Sequence, residues 1–391
     1  MRAVLTVWPE EIRETPDTVG RSARLEIPGL PTFELWYRAP AELRAHLSGR
    51  DDAFLVASIH RAMRLGHDIR LRGRVSPGLL ANLDELVAAW SAWRPDRYHR
   101  VQVDADGEWA GDDAAPEEAL SAFSGGLDSC HTVWRNRHSA RRVPPITGAV
   151  FAHGFDIPIE QTDVFQRATL RARAILDSVG IPLIPVTSNI RAMGDDWLDT
   201  HGAGVSSALM LLGRRHRYGL IPSTHSYAEL RIPFGSNPVS DPLCSSDRFT
   251  IRYDGATQTR PGKAAAVAAW PEAMEHMRVC WSGPQLDRNC GACRKCVGTA
   301  ICFAAAGVPL PPALSIPDLA AAIRAMAASP MNAYGSRRVE GALALARARG
   351  IDAPWMEAAA EWVARSKPRS PSLVVALKSR VRGFIHAVRH G

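Results

Sequence analysis

The stretch Ser124-Gly125-Gly126-Leu127-Asp128-Ser129 decides the fold of this 391-residue chain. It follows an apolar segment, 119–123, and precedes a segment with helical character, 130–137. A strand, a glycine-rich turn and a helix start gather main-chain N–H groups around an anion. The paired glycines also let the backbone approach a phosphate closely. The sequence therefore predicts a phosphate-binding turn; the alternative is a glycine turn without a ligand.

The side chains of this turn add further donors and ligands. Ser124 and Ser129 supply hydroxyl groups, and Asp128 is suited to hold a phosphate-bound Mg²⁺. The spacing matches neither G-x-x-x-x-G-K nor G-x-G-x-x-G. It does match S-G-G-x-D-S, and on this motif the chain resembles the PP-loop ATP pyrophosphatases. The resemblance implies that residues 124–129 bind the phosphates of ATP, which is cleaved between its α and β phosphates while an acceptor oxygen is adenylated.

Bulk composition is that of an ordinary globular protein long enough for two domains. Apolar residues make up 46% and charged residues 22% of the chain. No apolar run approaches the roughly 20 residues of a membrane span, and the N-terminus lacks a secretory apolar region. Seven cysteines, four of them within 280–296, indicate a reducing compartment and a metal rather than disulfides. We therefore expect a cytoplasmic protein.

The net charge of +7 is concentrated at the C-terminus. Residues 365–391 contain seven basic and no acidic residues, so the remainder is balanced at 40 against 40. A helix predicted over 373–388 has one apolar and one basic face. It could lie on an anionic membrane or on nucleic acid, or pack on the protein body with its basic face in water.

Three regions follow one another along the chain. Residues 1–115 indicate a small α+β domain, with a strand around 33–38 and a helix beginning at Ser76-Pro77. This domain could serve packing, a homodimer interface or a lid. Residues 104–118 have the composition of a linker. Residues 312–391 indicate a helical extension, with helices over 319–326 and 339–348 in addition to the basic one.

The central region, 116–311, alternates apolar strands with helices. The strands are predicted at 119–123, 146–151, 182–186 and 218–223, and the helices include 160–179 and 205–216. This alternation predicts an α/β fold, a Rossmann-like parallel sheet covered on both faces. Ligands bind at the carboxyl ends of such strands. Segments 124–129, 152–156, 187–189 and 223–229 should therefore surround one crevice.

Four cysteines form a candidate metal site, C-x9-C-x2-C-x2-C, at Cys280, Cys290, Cys293 and Cys296. Four thiolates suit tetrahedral Zn²⁺ and leave no open position for water, so the metal should be structural. Gly291 would permit the sharp turn, and Arg294 with Lys295 would offset the thiolate charge. An iron–sulfur cluster is the alternative.

The glycine motif followed by this cysteine set is similar to the 7-cyano-7-deazaguanine synthase branch of the PP-loop family, over about 120–306. That resemblance implies a HUP-type fold with structural zinc. It also implies activation of 7-carboxy-7-deazaguanine by ATP, followed by ammonia attack and a second activation to the nitrile. The branch's aspartate and glycine-tyrosine-proline motif is missing from 223–242. The residues expected to bind ATP match the pattern of the branch, whereas those expected to bind the acceptor do not. This difference favours another carboxylate substrate.

Several polar residues outside the two motifs are candidates for the site. Lys263 and Arg260 could reach phosphate oxygens, with Lys263 catalytic beside Ser124, Asp128 and Ser129, or they could be surface charges at a helix start. His153 and Asp156 could border the adenine pocket, where members of the family place the base. The acceptor could be gripped by polar residues that otherwise serve as caps or loop residues: His225, Tyr227, Glu229 and Asp241.

These observations predict an ATP-, Mg²⁺- and Zn²⁺-dependent ligase. It would adenylate a small-molecule carboxylate, possibly a deazapurine acid, and ammonia or another amine would then give an amide, a nitrile or a conjugate with a peptide or protein. One alternative is tRNA modification by thiolation or lysidine-type ligation. The other is a catalytically silent subunit that only binds the nucleotide.

Overall fold

The computed structural model describes residues 2–109, 115–139 and 143–366. These fall into two compact units, the first ending at residue 316 and the second beginning at residue 317. The basic helix predicted over 373–388 lies outside the described residues. Within them, no helix combines the length and the apolar character needed to cross a bilayer. The predicted division near 311 lies close to the boundary between the two units. Residues 1–115, by contrast, share the first unit with the segment that follows them.

The elements of the first unit fall into two consecutive sets. The first set is β1 (Val4–Pro9), β2 (Arg13–Glu14), β3 (Thr18–Glu26), β4 (Phe33–Pro40), α1 (Asp52–Leu65), β5 (Asp68–Val75), α2 (Pro77–Trp93) and β6 (Val103–Glu108). The second set is β7 (Ala119–Ala122), α3 (Leu127–Arg137), β8 (Ile146–His153), α4 (Thr162–Asp177), β9 (Leu183–Ser188), α5 (Trp197–Leu212), β10 (Tyr218–Pro222), β11 (Thr250–Asp254), α6 (Arg260–Val267), α7 (Pro271–His276) and α8 (Arg294–Ala306).

All eleven strands belong to one mixed sheet in the described part of the chain, in the order β11-β10-β7-β8-β9-β4-β3-β1-β5-β6, with β2 beside β3. Strands β7 to β11 are parallel to their neighbours in this half. Their spatial order, third-second-first-fourth-fifth, is that of a doubly wound α/β fold, which confirms the predicted fold class at that level. The order reverses between β7 and β10, where such folds place their ligands.

The N-terminal segment extends this sheet through an antiparallel pairing of β4 with β9, in which Tyr37 lies opposite Ser188. The Asn189 side chain accepts a 2.9 Å hydrogen bond from the amide of Trp36, and the hydroxyl groups of Tyr37 and Ser207 lie 2.6 Å apart in the core. Because the two parts share a sheet and a core, residues 1–115 do not form a separate compact unit.

Two local predictions for this N-terminal segment have different outcomes. The helix beginning at Ser76-Pro77 is confirmed as α2, which has proline in its first turn and a buried apolar stripe. The linker predicted over 104–118 is wrong in its first part, because β6 pairs in parallel with β5. Alternate residues of β6 are half-buried, and its exposed acidic residues concealed the strand in the sequence.

The second unit contains α9 (Leu319–Met326), α10 (Ala333–Ala348) and α11 (Pro354–Ser366). Helix α9 has the predicted bounds. Helix α10 begins before the predicted residue 339, because Asn332 caps it by accepting a hydrogen bond from the amide of Gly335 at 2.8 Å. Within this unit the Trp362 indole donates a 3.0 Å hydrogen bond to the Ser329 carbonyl oxygen.

Candidate functional site

The glycine turn joins β7 to α3 at the point where the strand order reverses. Gly125 has a φ of +73°, a conformation that glycine adopts without strain, and Gly126 caps α3. The Ser129 hydroxyl donates a 3.0 Å hydrogen bond to the Gly126 carbonyl oxygen and lies 3.5 Å from the Ser124 hydroxyl. Since the first N–H groups of a helix have no intrahelical acceptor, the turn presents amides and hydroxyls together.

Lys263 bridges the segments that follow β7 and β10, the two strands between which the strand order reverses. Its Nζ lies 3.1 Å from Oδ1 of Asp128, which follows β7, and it donates to both the carbonyl and the hydroxyl oxygen of Ser223, which follows β10. The Lys263 side chain is only 1% exposed, so a solvated surface lysine is excluded. Burial lowers the pKa of Lys263, and the Asp128 carboxylate opposes that shift.

Arg260 approaches the same carboxylate from the start of α6. Its Nη2 lies 3.7 Å from Oδ2 of Asp128 and donates a 3.4 Å hydrogen bond to the Thr299 hydroxyl. Asp128 is therefore held between two cations, and both basic residues predicted near the phosphates lie beside the glycine turn.

The turn forms one end of a cleft of about 290 Å³. Its polar lining comes from the turn, the segments after β8 and β10, α5, α6 and the segment that carries the cysteines: Ser124, Asp128, Ser129, Asp156, His201, Thr224, Ser236, Arg260, Arg278 and Lys295. Its aromatic lining comes from β7, β8, α5 and the loops: Phe123, Phe151, Phe155, Trp197, Phe234 and Trp281. The cleft therefore combines the polar groups of the glycine turn with aromatic side chains.

The sequence did not predict Trp197 and His201 as lining residues, because the helix predicted over 205–216 actually begins at Trp197. Asp196 caps α5, its carboxylate accepting a 3.0 Å hydrogen bond from the Leu198 amide. The added turns carry Trp197 and His201 into the cleft, where the Trp197 ring meets Phe155 edge-on at 5.1 Å. Gly202 and Gly204 weakened the helical pattern of this segment in the sequence. In the structure Gly204 leaves room for the Trp197 ring, because a β-carbon there would lie 2.8 Å from that ring. The Asp195-Asp196 pair was the signal available in the sequence.

The four cysteines come together as predicted, with Sγ–Sγ distances of 3.5, 3.5, 3.5 and 4.0 Å and all four sulfurs within 4.8 Å. A tetrahedral Zn²⁺ with Zn–S bonds of about 2.3 Å sets its sulfurs about 3.8 Å apart. An intervening iron–sulfur cluster would separate them further. The residues therefore fit one tetrahedral metal ion such as zinc.

The backbone of the cysteine loop supports this geometry. The amides of Cys293 and Cys296 lie 3.3 and 3.5 Å from the sulfurs of Cys290 and Cys293, which stabilises thiolate charge. Hydrogen bonds from neighbouring thiols, that of Cys296 first, lower the pKa of Cys293. Gly291 has a φ of +70°, and a β-carbon there would lie 2.9 Å from the Ser315 carbonyl oxygen, so its predicted role in the turn is confirmed.

A short segment joins the cysteine loop to the glycine turn. The Arg278 amide donates a 2.8 Å hydrogen bond to the Gly125 carbonyl oxygen, and its guanidinium binds the carbonyl oxygens of Cys280 and Leu286. The buried Asn289 side chain accepts from the amides of residues 279 and 280 and donates to the carbonyls of residues 277 and 313. The cysteine loop therefore supports one edge of the cleft.

The four residues predicted to grip the acceptor do not line the cleft. His225 is buried, and Tyr227 is 56% exposed. Glu229 accepts from the Ser226 hydroxyl at 3.3 Å. Asp241 is buried, and it accepts from the Ser236 hydroxyl at 2.7 Å and from the Asn237 amide. Asp241 thus orders the loop that presents Ser236 to the cleft, and burial raises its pKa to about 7.

The two residues predicted beside the adenine pocket have separate positions. Asp156 lines the cleft, 4.0 Å from Nη2 of Arg278. His153 lies behind the wall, where Nε2 is 2.9 Å from the Pro158 carbonyl oxygen and the ring stacks on Phe165 at 4.3 Å. Phe151 and Phe155, from the same strand end, line the cleft instead.

Comparison with known proteins gives no further constraint on this site. No family model, no curated protein and no solved structure matches the chain. The chemistry of the cleft therefore has to be argued from its own residues.

Proposed function

We propose that this protein adenylates a carboxylate with ATP, releases pyrophosphate and passes the acyl group to an amine. The observation that carries the proposal is the S-G-G-L-D-S turn at the switch point of a doubly wound sheet, with Lys263 and Arg260 converging on Asp128. Amides and hydroxyls of the turn would bind the phosphates of ATP. The aromatic walls would hold the flat rings of the nucleotide and the acceptor.

The polar end of the cleft offers donors where charge would build on pyrophosphate. Hydrogen bonds within the turn position the Ser124 and Ser129 hydroxyl groups, and these together with the first amides of α3 would stabilise the leaving group electrostatically. Asp128 is the residue that would hold Mg²⁺, since Mg²⁺ binds through one carboxylate together with substrate phosphates. When bound, Mg²⁺ would neutralise phosphate charge. Lys263 keeps that carboxylate oriented.

Adenylation would make the carboxylate reactive towards an amine. A carboxylate is a poor electrophile because its leaving group would be oxide. When a carboxylate oxygen attacks the α-phosphorus, the bond from that phosphorus to pyrophosphate breaks and an acyl-adenylate forms. An amine nitrogen then attacks the acyl carbon, loses a proton and displaces AMP. The net products are an amide, AMP and pyrophosphate.

Zinc would have a structural role in this proposal. Cys280, Cys290, Cys293 and Cys296 would hold it, and four thiolates would leave no position for substrate. The sulfur spacing favours a single ion, which speaks against the cluster-dependent thiolation of tRNA considered above. One equivalent of zinc, without visible absorbance, is the expected metal content.

The direct test incubates the zinc-loaded protein with ATP, Mg²⁺ and 7-carboxy-7-deazaguanine, with and without ammonia, and separates the nucleotides. Formation of AMP and pyrophosphate supports the proposal, whereas ADP formation or no turnover with any acid contradicts it. Asp128→Asn should abolish turnover. Asp177→Asn is the matched control, because Asp177 is exposed at the end of α4.

A further inference from the structure

Lys295 differs from the other cations of the cleft. It is the second residue of α8, and its Nζ lies 3.3 Å from the centroid of the Trp281 ring. Within the described residues this ammonium makes no hydrogen bond and no ion pair, although it carries three N–H donors. The sequence predicted that it would offset the charge of the cysteine thiolates; the structure also places it in the lining of the cleft.

The neighbouring cations use most of their donors on protein groups, although Nε of Arg278 has no hydrogen-bond partner among the described residues. Lys263 binds Asp128 and Ser223. Arg278 donates to two carbonyl oxygens of its own loop. Lys295 differs in that none of its three donors has a hydrogen-bond partner among the described residues. Its position and these donors suit an anionic group of a ligand, because a partly buried ammonium gains most from a charged acceptor.

Lys295 and Trp281 are both direct neighbours in sequence of metal-binding candidates. Trp281 follows Cys280, and Lys295 precedes Cys296. One ion held by Cys280 and Cys296 would fix the indole and the ammonium against each other across the loop.

We propose that Lys295 and Trp281 form the acceptor subsite: Lys295 binds the carboxylate that is to be adenylated, and Trp281 packs against the flat body of the acid. This inference rests on the proposed function. The phosphates already have the amides and hydroxyls of the glycine turn, whereas Lys295 comes from the cysteine loop. Trp281 is 46% exposed and has surface available for an aromatic ligand.

The test is calorimetric titration of zinc-loaded wild type, Lys295→Met, Lys295→Arg and Arg294→Met, after their metal content has been shown to be equal. The probes are an α,β-methylene analogue of ATP, 7-carboxy-7-deazaguanine, its neutral carboxamide, and indole-3-carboxylate as a second flat acid. Arg294→Met is the matched control, because it removes one positive charge from the adjacent, exposed position.

We expect Lys295→Met to weaken binding of the acids at least tenfold. Binding of the ATP analogue and of the carboxamide should change less than twofold, and Lys295→Arg and Arg294→Met should stay within threefold of wild type. An equal loss for the ATP analogue would assign Lys295 to the phosphates and overturn the inference. Unchanged acid binding would overturn it as well.

Wild-type protein separates failure of this inference from failure of the proposed function. If the ATP analogue binds and neither acid does, the subsite for a flat carboxylate is refuted while the nucleotide site stands. If the ATP analogue itself does not bind, the proposed function fails.

Discussion

The Arg278 amide donates a 2.8 Å hydrogen bond to the carbonyl oxygen of Gly125. This bond joins the segment that leads into the cysteine loop to the turn at the start of α3. Two elements more than 150 residues apart in the sequence therefore share one backbone contact. We therefore expect nucleotide binding at the glycine turn to depend on the order of the cysteine loop. The first prediction follows from that coupling.

Removing the metal should weaken nucleotide binding. Structural zinc sites have apparent binding free energies of about 10–16 kcal/mol, so a loop without its metal should lose its order. We expect Cys290→Ser to lose the zinc, lower the melting temperature by several degrees and weaken binding of the ATP analogue at least tenfold. Elemental analysis, thermal melts and calorimetry check this. Cys302→Ser, whose thiol donates to the Gly298 carbonyl inside α8, should retain the metal. Unchanged ATP-analogue binding in metal-free protein would disprove the coupling.

Gly125→Ala should separate backbone strain from ligand binding. Gly125 has φ +73° and Gly180 has φ +69°, and a β-carbon would have nothing closer than 3.9 Å at the first and nothing within 4 Å at the second. Each alanine should destabilise the protein by about 1–2 kcal/mol, because non-glycine residues are strained in this region. Gly125→Ala alone should also weaken ATP-analogue binding, since the added carbon crowds the phosphates. Equal affinity in the two variants would argue against a phosphate at the turn.

Lys263→Met should abolish turnover more strongly than it affects folding. Loss of the contacts to Asp128 and Ser223 should lower the free energy of unfolding by about 1–3 kcal/mol. We expect AMP formation to fall at least 100-fold, because Asp128 loses its orientation. Urea unfolding and nucleotide chromatography of both single variants and of Asp128→Asn/Lys263→Met would give the coupling between the two residues. Additive effects in that cycle, or full activity of Lys263→Met, would contradict the assigned contact.

Asp241 should make folding pH-dependent. Its pKa is raised by burial from 3.8 to about 7, so between those values the folded state binds more protons than the unfolded state. The contribution of Asp241 to stability should therefore fall as pH rises from 4 to 7, by roughly 4 kcal/mol at about 1.36 kcal/mol per pKa unit, and level off above. Asp241→Asn should remove this component. Urea unfolding at pH 5 and pH 8 tests it: the stability of the variant relative to wild type should increase at pH 8. A pH-independent difference would refute it.

Structural features could be predicted where the residues that form them lie close together in the sequence. The glycine turn, the four cysteines with Gly291, and helix α2 with its leading proline were all expected from spacing alone. Strands β7 to β10 also follow from their apolar runs, because strands buried on both faces show few polar residues. Helix α5 was shortened in the prediction because its glycines reflect close packing on neighbouring segments rather than a break in the helix.

The sequence by itself determined the glycine turn that we propose as the phosphate site and the four cysteines that can hold a metal, because each set lies within a short stretch of backbone. Only the tertiary structure decided that Lys263 meets Asp128 across 135 positions, that β4 continues the central sheet, and that Trp281 and Lys295 face the cleft. Such contacts depend on the order of strands in the sheet and on packing between distant elements. The short-range periodicity of apolar residues specifies neither the strand order nor the packing between distant elements.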